Sequence, residues 1–355
     1  MKEMEKIMKS KEDVTITEAK KPIKTTFSKI VNTIGQKMLI NLAALIFLMV
    51  ILLIFQNRFF TIVNITNVLR QISGVIIVSS AVTLLMVAGC LDLSVGGVVA
   101  LSGVTGALLS KVIPLPLALI IATGVGTLVG ALNGILFTKI GINAFIATLG
   151  TMYVCQGAAN LLTDGTAVIM LPDAYSILGT GYLLGIPIPV WLAIAAIAIF
   201  LFLEKRTLLG KYSVAAGSNK QAAFLCGIPV NKVQMVLYIL CGTMAGFQGV
   251  LLSSRLGVGL PSVGIGFEFQ VIVATILGGT SLAGGEGSVI GMVVGAIIVG
   301  VLNNGMNLLS ISSFWQTVAL GVVLVLAVAL DSSIRKQRVR TQRKTENAPE
   351  VQASK

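Results

Sequence analysis

The sequence predicts an all-α polytopic membrane protein of about ten transmembrane helices, with the N- and C-termini cytoplasmic. Three observations predict it. Hydrophobic residues fill 55% of the 355 positions and charged residues 11%, against roughly 25% charged in a soluble domain. The charges gather in residues 1–37, around 204–232 and after Asp331. Between them lie apolar runs long enough, at about 1.5 Å per helical residue, to cross a hydrocarbon layer about 30 Å thick.

Taken in order, residues 1–37 carry nine lysines and five acids ahead of the first apolar run, too long a basic region for a signal peptide. They read as a cytoplasmic basic tail followed by an uncleaved span. Helical spans are predicted at Met38–Phe55, Ile72–Gly89, Val95–Val112, Leu115–Phe137, Asn143–Leu161, Ile186–Leu203, Gln234–Ser253, Glu268–Ala283, Ser288–Leu309 and Ile311–Leu330. They make a transmembrane domain over 38–330, interrupted by a cytoplasmic loop at 204–232. A second basic cytoplasmic tail, 331–355, follows.

With the N-terminus inside, 22 of the 26 Lys and Arg face the cytoplasm, leaving Arg58, Arg70, Lys111 and Arg255 outside, in accord with the positive-inside rule. That asymmetry accounts for the net charge of +12 without nucleic acid as a partner. Membrane lipids are the expected neighbours, and the run RKQRVRTQRK at 335–344 reads as a topology anchor. Gly126, Gly130 and Gly134 recur every four residues and give one helix a smooth face for a close neighbour; Gly291 and Gly295 repeat the device. Two halves of five spans would stand in opposite orientations, the geometry of inverted-repeat transporters. One internal echo, GCLDLSVGG at 89–97 against GGTSLAGGEG at 278–287, lies six spans apart and reads as shared turn chemistry.

Several chemistries are excluded. Histidine is absent, removing the commonest metal ligand and the one side chain that titrates near neutrality, so no metal site is expected. The cysteines Cys90, Cys155, Cys226 and Cys241 fall in spans or in the cytoplasmic loop and imply no disulfide framework. The span interiors hold essentially no ionisable residue: Asp92 and Glu286 are expected at turns and Glu268 at a helix start. No Walker A motif is present, since around Gly210-Lys211 a Tyr212 replaces the Ser or Thr and a Lys205 the leading Gly. No nucleophile–base pair suggests an enzyme. The chain is expected to bind no cofactor, so a companion supplies the energy or the protein is a passive pore.

Neutral polar residues do enter the spans: Asn133, Asn143, Gln156, Asn160, Gln248, Asn303, Asn304 and Asn307. Amides hydrogen-bond without a charge penalty, which suits an uncharged, hydroxyl-rich solute and equally suits glue between helices. Asn133, Asn143, Asn160, Gln248, Asn303 and Asn304 are the candidates for a translocation pathway. In the loop, Ser218-Asn219-Lys220-Gln221 is a capping-box pattern, Gly227 can end a helix in the left-handed conformation and Pro229 prevents its continuation. The spacing predicts a short helix near 219–226 carrying Ala222, Ala223, Leu225 and Cys226. Two turns are too short to stand alone. Such a helix must dock, on the chain's own helix ends or, the favoured reading, in a partner's groove that its small apolar face fits.

Five collinear blocks then carry a resemblance: CLDLSVG (90–96), NAFIATLGTM (143–152), LLGKYSVAAGSNKQAAFLCGIPVNK (208–232), LGGTSLAGGEGSVIG (277–291) and LNNGMNLLSISSFWQ (302–316). From about residue 38 to 335 the chain resembles the ribose-type permease subunits of bacterial ATP-binding-cassette (ABC) sugar importers. The resemblance implies an ABC-importer permease fold in the bacterial cytoplasmic (inner) membrane. It also implies a dimer with a second permease copy and a periplasmic or lipoprotein solute-binding protein. A separate ABC ATP-binding subunit, using ATP-Mg, would drive it. The family's coupling helix, seated in a cleft of that ATPase, falls on Asn219, Gln221, Ala222, Ala223, Leu225 and Gly227. Cys90-Leu91 replace the family's usual Gly-Ile, and Glu286 a frequent basic residue. The family also carries other pentoses, hexoses and furanone-like signalling molecules, so the sugar stays open.

Asp92, Ser94 and Gly96 form the turn between the second and third spans. An Asp or Ser there can cap the new helix, satisfy N–H groups that lipid cannot, and set negative charge at the positive end of the helix dipole. Contact with cytoplasmic basic residues or with the ATPase is the other role open to it. The expectation is a transport subunit without its own ATPase site, translocating a ribose-like monosaccharide by alternating access. An ion-gradient-driven secondary carrier or a passive channel for a small polar solute is the alternative, disfavoured by the missing buried charges and by the long loop.

Overall fold

The computed structural model describes residues 59–346, together with Gln56 and parts of a helix between Ala43 and Val50. The predicted span Met38–Phe55 lies largely outside the described residues, as do residues 1–37 and the end of the C-terminal tail. The helices are α1 (Ile62–Val87), α2 (Val95–Leu109), α3 (Leu115–Ile135, prolonged by a π-helical turn over Leu136–Ile140), α4 (Ala144–Leu161), α5 (Asp173–Thr180) and α6 (Ile188–Arg206). They continue as α7 (Leu208–Ser218), α8 (Lys220–Leu225), α9 (Val230–Leu256), α10 (Phe267–Leu277), α11 (Val289–Leu308) and α12 (Ser313–Glu346). One antiparallel hairpin, β1 (Tyr182–Leu183) with β2 (Ile186–Pro187), pairs Tyr182 with Pro187 and Leu183 with Ile186. Its two-residue turn, Leu184-Gly185, has positive φ at both positions, as the twist of a tight hairpin demands.

Local chemistry sets the helix ends. Thr61 caps α1 by accepting from the Asn64 amide, and Asn143 caps α4 by accepting from Phe145. Pro114, Pro172 and Pro187 stand before α3, α5 and α6, where their missing N–H costs nothing. Among the described residues six helices are long and apolar enough to cross a membrane: α1, α3 with its π turn, α6, α9, α11 and α12 up to Ser333. The spans expected over Val95–Val112 and Glu268–Ala283 are shorter: α2 has 15 residues and α10 has 11, about 22 and 16 Å of rise. Helix α10 stops because Gly278-Gly279 turn the chain, Gly279 taking φ 91°. Conversely α1 begins ten residues before the expected start, since Asn64, Thr66 and Arg70 lie on helix rather than in a loop.

Direction of travel explains the short helices. The Ser79 hydroxyl on α1 meets the Val271 carbonyl on α10, and Gly285 N–H bonds Val87 O at 2.8 Å, so α1 and α10 both run toward the end carrying α8. Gly103 of α2 lies against Gly249 and Ser253 of α9, and those two run toward the opposite end, where Gly179 N–H bonds Ser254 Oγ. A long helix, a re-entrant segment, a half-length helix and two more helices thus occur twice, as α1–α4 and upside down as α9–α12. The GCLDLSVGG and GGTSLAGGEG echo has a simpler origin. Gly89 N–H bonds Met86 O and Cys90 N–H bonds Leu85 O; Gly279 N–H bonds Ile276 O and Thr280 N–H bonds Thr275 O. Both are the same glycine-terminated helix end, built twice.

The glycine stripe of α3 packs antiparallel on α9. A Cβ on Gly126 would strike the Gly242 carbonyl, and one on Gly130 the Tyr238 carbonyl. Packing this close is how helices bind each other where lipid removes any hydrophobic gain. Gly126→Leu is therefore expected to cost about 1–3 kcal/mol by overpacking, read as a lower thermal midpoint in detergent. Gly124→Ala, which meets nothing within 4 Å, should leave that midpoint unchanged.

Candidate functional site

After Val87 the chain turns back into the interior as an extended segment, and its backbone groups need partners that lipid does not offer. Helix α9 supplies them: Gln234 Nε2 donates to Ala88 O at 3.2 Å and Tyr238 OH to Leu91 O at 3.1 Å. Asp92 follows, fully buried. Its Oδ1 accepts from the Ser94 amide at 2.8 Å and from the Ser94 hydroxyl at 2.6 Å. Asn133 Nδ2 donates to Ser94 Oγ, and Thr151 Oγ1 donates to Asn133 Oδ1. This line of side chains pins the start of α2 to α3 and α4. The Asp92 turn lies buried in the interior. One expectation is corrected: Ser94, though the cap residue of α2, makes no side-chain cap bond. Asp92 instead closes a turn onto the amide two residues on.

The N-termini of the half-length helices α2 and α10 meet in the same region. A Cβ on Gly96 would collide with Gly264 O and with the Glu268 carboxylate, and one on Gly97 with Met152 O, so only glycine lets these backbones touch. Gly264 and Gly266 take φ of 95° and 80° to turn the re-entrant segment into α10. Beside this junction lies a cavity of about 870 Å³. Its polar lining comes from α1 (Gln71), α4 (Tyr153, Gln156), α10 (Glu268, Gln270), α11 (Asn303) and α12 (Ser313, Gln316, Thr317). No Lys or Arg lines it among the described residues. Glu268 stands in the first turn of α10, as expected, and is 5% exposed; with Asp92 it makes two buried carboxylates among the described residues.

Of the residues expected on a pathway, Asn303 lines this cavity. The others lie elsewhere. Asn133 belongs to the Asp92 line. Asn143 caps α4. Asn160 is exposed and donates to Gln156 O. Gln248 is buried against Gly74. Asn304 exchanges reciprocal amide bonds with Asn64, at 2.8 and 3.0 Å. The amides that do line the cavity include Gln71, Gln270 and Gln316, which sit in the first turns of helices or ahead of expected spans. Helical spacing alone gave no reason to aim them inward.

Helix α8 is present over Lys220–Leu225, with a change of cap. Asn219 Oδ1 accepts from Ala222 N–H at 2.9 Å, whereas the Ser218 hydroxyl turns back to Val214 O and so takes no part in a capping box. Gly227 ends the helix with φ 80°, its N–H on Phe224 O and that of Ile228 on Ala223 O. Ala223, expected on an outward face, is buried with Ala216 and Val230 and seats α8 on its own chain. Gln221 and Ala222 are exposed, and Phe224 and Leu225 are 70% and 84% exposed. They border a depression of about 730 Å³ with Pro229 and Lys232.

Membrane-length helices around a polar cavity, in a chain of this composition, define a polytopic membrane permease. The comparisons agree. A family model described as "Branched-chain amino acid transport system / permease component" matches residues 64–328. Over 301 residues the chain is 37% identical to the ribose import permease protein RbsC of Haemophilus influenzae, covering 83% of this chain and 93% of that one. It is 40% identical over 291 residues to RbsC of Bacillus subtilis, covering 81% and 90%. It is 37% identical over 289 residues to the L-arabinose transport system permease protein AraH of Escherichia coli, covering 80% and 87%. No solved structure matches. The chain belongs to this permease family, in its ribose-type ABC branch, and is a multi-pass protein of the cytoplasmic membrane.

The Asn64–Asn304 pair offers a clean measurement. Asn304→Leu strands the buried Asn64 amide and is expected to cost about 1–3 kcal/mol. In a double-mutant cycle followed by unfolding in detergent, Asn64→Leu with Asn304→Leu should cost clearly less than the two losses added. Additive losses would contradict the pairing.

Proposed function

We propose that this chain is the membrane subunit of an ATP-driven ABC importer that moves a neutral monosaccharide, ribose-like in size and polarity, by alternating access. The observation that carries this reading is the cavity lining. Five amide side chains, hydroxyls and one carboxylate face the space, and no Lys or Arg does among the described residues. An amino-acid solute, which the family description would allow, brings a carboxylate that needs a positive partner. A sugar brings hydroxyls that amides satisfy in either sense. The relatives named for ribose and arabinose import support the same choice.

In this reading the α8 end is cytoplasmic, with both termini on that side and ten spans in all. Phe224 and Leu225, large apolar side chains at a water-facing end, fit a cleft on an ABC ATP-binding subunit that uses ATP-Mg; this chain has no ATPase site of its own. Closure of the ATPase moves α8, and Ala223 carries that motion to α7. The next contacts are tight. Gly217 of α7 abuts Val87 and Gly285, Gly285 N–H holds Val87 O, and Glu204 Oε2 accepts from Val289 N–H at the start of α11. The motion thereby reaches α1, α10 and α11, which line the cavity. A solute-binding protein delivers sugar at the opposite face, two permease copies form the complete pore, and lipids surround the pair.

Two measurements test the reading. In vesicles holding the permease, its ATPase and its binding protein, sugar uptake should need ATP and ignore ionophores. Ionophore-sensitive uptake without ATP would instead favour a secondary carrier using Asp92 or Glu268. Leu225→Asp, at an exposed position, should leave the protein folded and inserted yet cut uptake more than tenfold; normal uptake would remove α8 from the drive path.

A further inference from the structure

Three side chains of the cavity have no hydrogen-bond partner among the described residues. The amides of Gln71, Gln270 and Asn303 make no side-chain bond, although Asn303 is 92% buried by its 8% exposure. Gln156 and Gln316 differ, since Gln156 Nε2 donates to Pro261 O and Gln316 Nε2 donates to Asn307 Oδ1 at 2.7 Å. The free groups therefore come from three helices, α1, α10 and α11, that face one space. The Glu268 carboxylate borders the same cavity; one of its oxygens, Oε2, is buried toward Gly96 without a partner, and the residue is 5% exposed.

Unpaired polar groups are costly inside a bilayer, and a carboxylate far more so than an amide. Elsewhere this chain meets that cost only in part: Asn64 pairs with Asn304 and Asn133 with Ser94 and Thr151, while Asp92 Oδ2, Gln234 Oε1 and Gln248 Oε1 are buried without a partner. What sets the cavity apart is convergence: three unbonded amides and one carboxylate line the same space. The carboxylate is also deliberately seated. It lies against Gly96, where any side chain would collide with Oε2, and at the junction of two helix N-termini whose dipoles favour negative charge. A carboxylate accepts only, whereas the amides accept and donate, so the set is complementary to adjacent hydroxyls that must each give and take a hydrogen bond.

We propose that Glu268, with Gln71, Gln270 and Asn303, forms the hydroxyl-binding site of the cavity, and that Glu268 is its specificity-determining acceptor. The site takes an uncharged, polyhydroxylated solute and offers an anion no cationic partner among the described residues. This rests on the sugar-importer reading above. It adds to it a selecting step inside the membrane, after release from the binding protein.

The test uses the reconstituted complex of permease, ATPase and binding protein. Two sugars are compared that load the binding protein equally and differ by one hydroxyl, and the hydroxyls are deleted in turn. Glu268→Gln keeps the shape and removes the charge. It should slow uptake of the parent sugar about tenfold and slow the analogue lacking the recognised hydroxyl less than about twofold. An equal loss for every sugar would assign Glu268 a structural role and overturn the proposal, as would no loss at all. If Glu268→Gln fails to insert, Gln270→Leu and Asn303→Leu carry the same comparison, and a loss independent of hydroxyl pattern overturns it again. Wild-type vesicles that move no sugar would overturn the importer reading itself; normal wild-type uptake beside an indifferent Glu268→Gln overturns this assignment alone.

Discussion

Hydrocarbon offers no hydrogen bonds, so every break in a membrane helix has to be repaired from inside the protein. This chain breaks its helices at two places, after Val87 and before Phe267, and much of its interior is organised around the repair. Gln234 and Tyr238 exist on α9 as partners for the carbonyls of Ala88 and Leu91. Asp92, Ser94, Asn133 and Thr151 then fix where α2 begins. The reward is space. Two half-length helices whose N-termini meet cannot fill the volume two full spans would, and the cavity lies beside their junction.

Glycine governs the second level of construction. It lets α3 lie on α9, α2 on α9 and α10 on α11 at backbone distance, where Gly278 meets Gly291 and Met292. At the α8 end the device changes purpose. Gly89, Gly217, Gly284 and Gly285 bring a helix end, a loop and α7 together without intervening side chains. A side chain can rotate and absorb a displacement; backbone pressed on backbone transmits it. The same end carries Glu204 on the start of α11, and Asp331 of α12 against Ser281. A push on α8 therefore has a stiff route to the helices around the cavity.

Much of this was legible in the residues. The glycine-ended short helix over 220–225 was readable because Asn219, Gly227 and Pro229 act locally, through bonds within three to five positions. The shared turn chemistry of residues 89–97 and 278–287 was readable for the same reason. Errors arose where two local solutions competed or where a partner lay far along the chain. Ser218 and Asn219 could each cap α8, and Ser218 was already committed to Val214 at the end of α7. Ala223 and Leu225 share a helix one turn wide, and only the position of Ala216 and Val230 decides which faces inward. Asn304 was indistinguishable from Asn303 until Asn64, 240 positions away, claimed it.

Composition, hydropathy and charge asymmetry by themselves determined that the chain is a membrane-embedded helical bundle and which stretches are apolar, because partition between water and hydrocarbon acts on each segment separately. Turn residues determined where helices end. Tertiary structure alone decided that α2 and α10 begin inside the bundle against each other, that Asp92 and Glu268 are buried, and which amides stay unpaired at the cavity. Those outcomes depend on which groups meet across long separations in sequence, and pairing of that kind leaves no periodic trace along the chain.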